Sequence, residues 1–179
     1  MKTEKQLSHF MDTNVAFPNV IVKTHHGNVH FRSLIQDKRI IVYTNPSELI
    51  PGNKNEVSEL VETLRNLKKL NYHLIGFNRG SFEEHLNSLN WLNSYLSDEL
   101  VFPVFYQPKN EVKKCLEKNL GEKITLKSPI YLLDKNGCTR MILDGSQSAS
   151  KNLETILEQA SKLVLSDQSF GKNQSLRDS

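Results

Sequence analysis

Residues 39–70 read RIIVYTNPSELIPGNKNEVSELVETLRNLKKL, and that order of segments constrains the fold more than any other part of the chain. Ile40-Ile41-Val42-Tyr43 is a short, β-branched run suited to a buried strand. Pro46, Pro51 and Gly52 then forbid regular structure. From Asn53 onward Val57, Leu60, Val61, Leu64, Leu67 and Leu70 recur at helical spacing. Asn53 is placed to cap that helix, and Glu56 three residues later completes a capping-box-like pattern. A strand, a tight loop and a helix N-terminus form the junction where α/β proteins usually hold ligands or chemistry.

The remaining segments extend the same alternation. Phe17-Pro18-Asn19-Val20-Ile21-Val22 is extended, and Gly27-Asn28 turns it into Val29-His30-Phe31 as an N-terminal hairpin. A short helical turn is expected over residues 32–38, and a strand over 73–78. Ser81 with Glu83 and Glu84 opens a helix reaching about Tyr95, with Leu86, Leu89, Leu92 and Trp91 inward. Residues 101–105 form a strand and 111–120 a helix stopped by Gly121. Residues 129–133 and 138–143 pair across an Asn136-Gly137 turn, for which positive φ is expected at both turn positions. A last amphipathic helix spans 151–165, burying Leu153, Ile156, Leu157, Ala160, Leu163 and Val164. Residues 1–12 read as loosely held and 166–179 as a disordered polar tail. The expectation is one α/β domain over residues 1–165, a mixed sheet covered by helices.

The 39–70 stretch resembles the peroxiredoxin family (the alkyl hydroperoxide reductase and thiol-specific antioxidant group). That family places Pro-x-x-x-Thr-x-x-Cys after a strand, with Glu three residues beyond the Cys. Pro46 and Glu56 match the proline and glutamate. Ile50 stands at the threonine position and Asn53 at that of the peroxide-attacking cysteine. Ala16-Phe17-Pro18, the Phe102-Pro103 pair and the late hairpin extend the likeness over roughly residues 12–165. The resemblance implies a thioredoxin-like fold and, counting back from Asp134, puts the family's arginine at or beside Ser128.

The family chemistry needs a thiolate activated by a helix end and a cation, with a hydroxyl to orient the peroxide. Asn53 offers no thiol, Ile50 no hydroxyl at the threonine position, and Ser128 no cation, with neighbouring Lys127 as a partial stand-in. The expectation is a non-catalytic binding or regulatory module, and the resemblance implies a homodimer or a protein partner. The alternative is a thiol-dependent peroxidase using relocated Cys115 or Cys138. Cys115 is flanked by Lys113, Lys114 and Lys118, which lower a thiol's pKa when it is exposed; otherwise it is a half-buried helix residue. Cys138 fills a strand position. The absence of Cys-x-x-Cys excludes thioredoxin-type exchange. The Asn53 helix end could also hold a small anion.

Other partners are set aside on composition. The 23 basic and 20 acidic residues leave a formal charge of +3, too small and scattered for nucleic acid. His25, His26 and His30 lack further ligands at metal spacing, and no cofactor is implied. Two cysteines, no signal-like apolar run and no window near about 18 apolar residues point to a cytoplasmic protein away from membranes.

Overall fold

The computed structural model describes residues 10–24, 27–45, 48–50, 56–78, 81–106 and 111–178. The strands are β1 (Phe10–Ala16), β2 (Ile21–Thr24), β3 (Gly27–His30), β4 (Arg39–Tyr43), β5 (Tyr72–Asn78), β6 (Val104–Tyr106), β7 (Pro129–Leu133) and β8 (Cys138–Asp144). The helices are α1 (Phe31–Leu34), α2 (Val57–Lys69), α3 (Phe82–Tyr95), α4 (Glu111–Leu120) and α5 (Ala149–Asp178).

Six strands form one sheet in the order β1-β8-β7-β4-β5-β6, and β2 and β3 form a separate hairpin. β4 is parallel to β5 and β5 to β6, whereas β7 and β8 run antiparallel. The sheet is therefore mixed, as the alternating segments imply.

Successive strand residues point to opposite faces, and here the two faces carry two cores. Ile41, Tyr43, Leu74, Ile130, Leu132, Met141 and Leu143 pack with Leu60, Leu64 and Leu67 of α2 and Leu153, Ile156 and Ala160 of α5. Ile40, Val42, Ile75, Phe77, Tyr131, Leu133 and Ile142 face Phe17, Val22, Phe31, Val112 and Leu116. Every residue of β7 is buried, and all but Arg39 of β4. Their near-continuous apolar runs follow from being covered on both sides.

Several expectations are corrected. The stretch read as loose to residue 12 enters the sheet as β1, with Phe10 opposite Leu143 and Met11 opposite Ile142. Its pairing depends on a strand more than a hundred residues away, and FMDT carries no alternation to announce it. In α3, Leu86 is 44% exposed, while His85 and Ser88 turn inward; Leu92 is buried and Leu89 and Trp91 pack at the margin. The strand expected at 101–105 is Val104–Tyr106: the ladder opens with the Gly76 N–H donating to the Pro103 carbonyl at 3.0 Å and Gly76 opposite Val104, and Pro103 has no N–H with which to extend it. The last helix continues past residue 165 to Asp178, through the stretch expected to be disordered. No proline interrupts it, and Asp167 anchors its second half to the sheet.

The β7–β8 turn has a different build from the two-residue form. Only Gly137, at φ +78°, has positive φ there. Asp134 Oδ1 accepts the N–H groups of Asn136 (2.9 Å) and Cys138 (3.0 Å), so a side chain organises the turn. Leu132 pairs with Met141 but Leu133 with Thr139, leaving Arg140 as the extra residue of a bulge. The strand limits expected on either side agree within a residue.

Candidate functional site

Parallel β4, β5 and β6 end on one edge of the molecule, and antiparallel β7 begins there. Pro46 and Asn53 lie outside the described residues. The flanks of the expected site are described: Thr44, Asn45, residues 48–50, Glu56 and Ser128.

Glu48 organises these flanks. It is 2% exposed, and its carboxylate accepts the Thr44 N–H at 3.2 Å and the Thr44 hydroxyl at 3.3 Å. That hydroxyl also lies 3.4 Å from the Pro129 carbonyl, tying the loop to the start of β7. The Glu48 N–H returns to the Asn45 carbonyl at 3.0 Å. From the other side the buried Asn152 amide donates to the carbonyls of Glu48 (2.7 Å), Gly145 (2.9 Å) and Gln147 (3.2 Å). Three segments are thereby held by one connected polar network.

Ser128 meets the same network through its backbone. Its carbonyl accepts the Gly145 N–H at 2.6 Å. A Cβ on Gly145 would fall 2.7 Å from that oxygen, so glycine is required by the close approach. Ile50 packs against the core under α2. Glu56 directly precedes α2 and its side chain makes no bond to the N–H groups of the helix's first turn; the capping box expected between Asn53 and Glu56 lies outside the described residues, because Asn53 does. The structure thus brings Thr44, Glu48, Ser128 and Asn152 to one edge, with Ile50 beside them. Glu48 and Asn152 were missed by sequence reasoning; a lone acid between Pro46 and Ile50 was the one visible signal.

Tyr43 lies beneath this network, fully buried, with no hydrogen-bond partner for its hydroxyl. Burial, with a smaller push from the Glu48 carboxylate, raises its pKa far above the tyrosine range. It is a neutral core phenol packed edge-on against Phe102.

Neither cysteine is at this edge. Cys138 begins β8 at the far end of the β7–β8 hairpin from Pro129. Burial and then the Asp134 carboxylate push its thiol pKa up, against the nearby Arg140 and Arg32. Cys115 lies on α4 in the other layer and is exposed rather than half-buried. Both are free. His25 and His26 lie outside the described residues, and His30 is exposed. Among the described residues no group of three or more His, Cys, Asp or Glu could hold a metal ion, and no helix is long and apolar enough to cross a membrane.

A mixed sheet between helical layers, with the loop-to-helix junction after its central parallel strand, defines a thioredoxin-like α/β protein. The yeast mitochondrial 1-Cys peroxiredoxin superposes with a TM-score of 0.63 at 18% identity, covering 88% of this chain and 78% of that one. The mitochondrial 2-Cys peroxiredoxin of Plasmodium falciparum gives 0.57 at 18% identity, covering 88% and 96%. In sequence, residues 13–142 match the model of the AhpC/TSA family, and the chain belongs to that family. It is 28% identical to a peroxiredoxin of Hyperthermus butylicus over 152 residues, which make up 84% of this chain and 66% of that protein. It is 27% identical to peroxiredoxin 2 of Sulfurisphaera tokodaii over 154 residues, 86% of this chain and 73% of the relative.

Proposed function

We propose that this chain is a peroxiredoxin-family protein that has given up peroxide chemistry and serves as a binding or regulatory module, as a homodimer or with a protein partner. One feature of the sequence carries the reading: counted from Pro46 and Glu56, the motif it resembles puts Asn53 at the position of the family's nucleophile. An amide has no thiolate to attack an O–O bond and cannot pass through a sulfenic acid. Ile50 and Ser128 remove the matching hydroxyl and cation, so the changes point one way. The buried Glu48–Asn152 network supports the reading, since it fixes the flanks of the site with ordinary structural hydrogen bonds. Two free cysteines fit a reducing, cytoplasmic setting.

A second reading is supported by the exposure of Cys115 beside Lys113, Lys114 and Lys118. In it, Cys115 attacks the peroxide, becomes a sulfenic acid and is returned to the thiol by an external thiol reductant. Cys138 is disfavoured because its raised pKa leaves little thiolate at neutral pH.

Peroxide consumption with dithiothreitol decides between them, for the wild type and for Cys115→Ser and Cys138→Ser. Consumption at the rate of dithiothreitol alone is expected for all three proteins. Turnover in the wild type that disappears only in Cys115→Ser would replace the first reading with the second.

A further inference from the structure

The other end of the sheet carries a charged cluster that the family reading does not use. Arg39 opens β4, Asp134 follows β7, Arg140 is the bulge residue of β8, and Asp167 reaches in from α5. Arg140 Nη1 lies 3.1 Å from Asp167 Oδ1 and 3.7 Å from Asp134 Oδ2. Arg39 Nη2 is 3.9 Å from Asp167 Oδ2. With Lys135 and Asn136 these side chains line a cleft of about 390 Å³, within the range of small-molecule sites, roughly 300–1,000 Å³.

The charges in the cleft do not cancel. Two guanidiniums and an ammonium stand against two carboxylates. Asp134 is also partly spent, because its Oδ1 accepts the turn N–H groups of Asn136 and Cys138. Arg39 is incompletely satisfied: Nη1 donates to the Leu70 carbonyl at 3.2 Å, Nη2 has only the long Asp167 contact, and Nε is buried with no acceptor. Nε is closed off from solvent and out of a ligand's reach, so Arg39 can meet an anion in the cleft only through its Nη atoms. Lys38 and Lys68 add positive charge at this end, since after burial they are the groups that lower the pKa of neighbouring His73.

We propose that this cleft binds a small molecule through a dianionic phosphate group, with Arg39 and Arg140 directed at its oxygens and Lys135 closing over it. Arginine's planar fork suits phosphate, and lysine adds a mobile point charge. A second cleft of about 480 Å³ shares Lys135 and Asn136 and includes His30, Arg32, Gln36 and the carboxylate of Asp37. It gives polar room for the organic part of a phosphate ester.

Titration calorimetry in a phosphate-free buffer tests the proposal, with inorganic phosphate and with adenosine monophosphate as probes. The proteins are the wild type, Lys135→Ala, Arg39→Gln and Lys113→Ala. Lys135 lies on an exposed turn, so its removal leaves the fold intact and keeps the test decisive if Arg39→Gln unfolds. Lys113 lines neither cleft. Saturable binding of either probe is expected, weakened about tenfold by Lys135→Ala, the order of one charge-assisted hydrogen bond, and unchanged by Lys113→Ala. Tighter binding of the monophosphate would assign an ester, and equal binding free phosphate. No saturable heat with either probe, unaltered affinity in Lys135→Ala, or an equal loss in Lys113→Ala would overturn it.

Discussion

At Glu48 a carboxylate has left water in a loop, where most acids stay solvated. It is stabilised by accepting hydrogen bonds from Thr44, whose own N–H and hydroxyl are buried. Glu48→Ala leaves those donors without that acceptor, at an expected cost of about 1–3 kcal/mol. Asn152→Ala removes the amide shared by three carbonyls and should cost a similar amount. Because both act on the same loop, the double variant should fall short of the sum, with a coupling of roughly 0.5–3 kcal/mol. Urea unfolding of the four proteins measures this. Single costs below about 0.5 kcal/mol, the level of ordinary surface substitutions, would show that the network does not hold the site's flanks. Neither residue's role was legible in sequence. Asn152 meets Glu48 across 104 positions, and no local pattern encodes a partner that distant. The proposed loss at Asn53, by contrast, is a reading of residue identity within a short motif and needs no distant partner.

Elements bounded by their own chemistry were legible to the residue. Ser81 caps α3 by accepting the Glu84 N–H at 3.1 Å, and Gly121 ends α4 at φ +75°. The face that α3 buries was not, because a polar pair decides it. Asn78 at the end of β5 donates to His85 Nδ1 at 3.0 Å, which draws His85 under Phe82 and Tyr106 and rotates Leu86 outward. Burial lowers the His85 pKa below the usual 6.5, and burial with Lys38 and Lys68 does the same at His73. For a histidine of lowered folded pKa, the unfolded chain takes up the proton first. The stabilising effect of the neutral ring is therefore full above 6.5 and is lost as pH falls from there toward the folded pKa. Below that value the loss stops growing. His85→Gln keeps an acceptor for Asn78 and removes the titration. The wild type should lose more melting temperature between pH 7.5 and 5.5 than this variant does, with His73→Gln removing a separate part. Equal losses in wild type and His85→Gln would show that the ring titrates as if exposed.

At the scale of the molecule, one sheet serves two cores, so neither helical layer can leave without stripping a face of the same strands. Ile41 and Tyr43 belong to one core while Ile40 and Val42, their immediate neighbours, belong to the other. Breakage of either layer exposes β4 and β7, whose residues are almost all buried, and separate unfolding of the layers is disfavoured. Ile156 on α5 and Leu116 on α4 are each fully buried, one per layer. Ile156→Ala and Leu116→Ala should each cost about 2–5 kcal/mol. Both should unfold in a single transition. Trp91, the chain's single tryptophan, packs against the first core, so its fluorescence follows one layer while far-ultraviolet circular dichroism follows the backbone throughout. If the layers share their fate, the two signals should coincide in both variants, with an unchanged dependence on denaturant. A Leu116→Ala protein whose circular dichroism falls well before its tryptophan signal would mean that the α4 layer unfolds alone. The sheet would then be two cooperative units joined at β4.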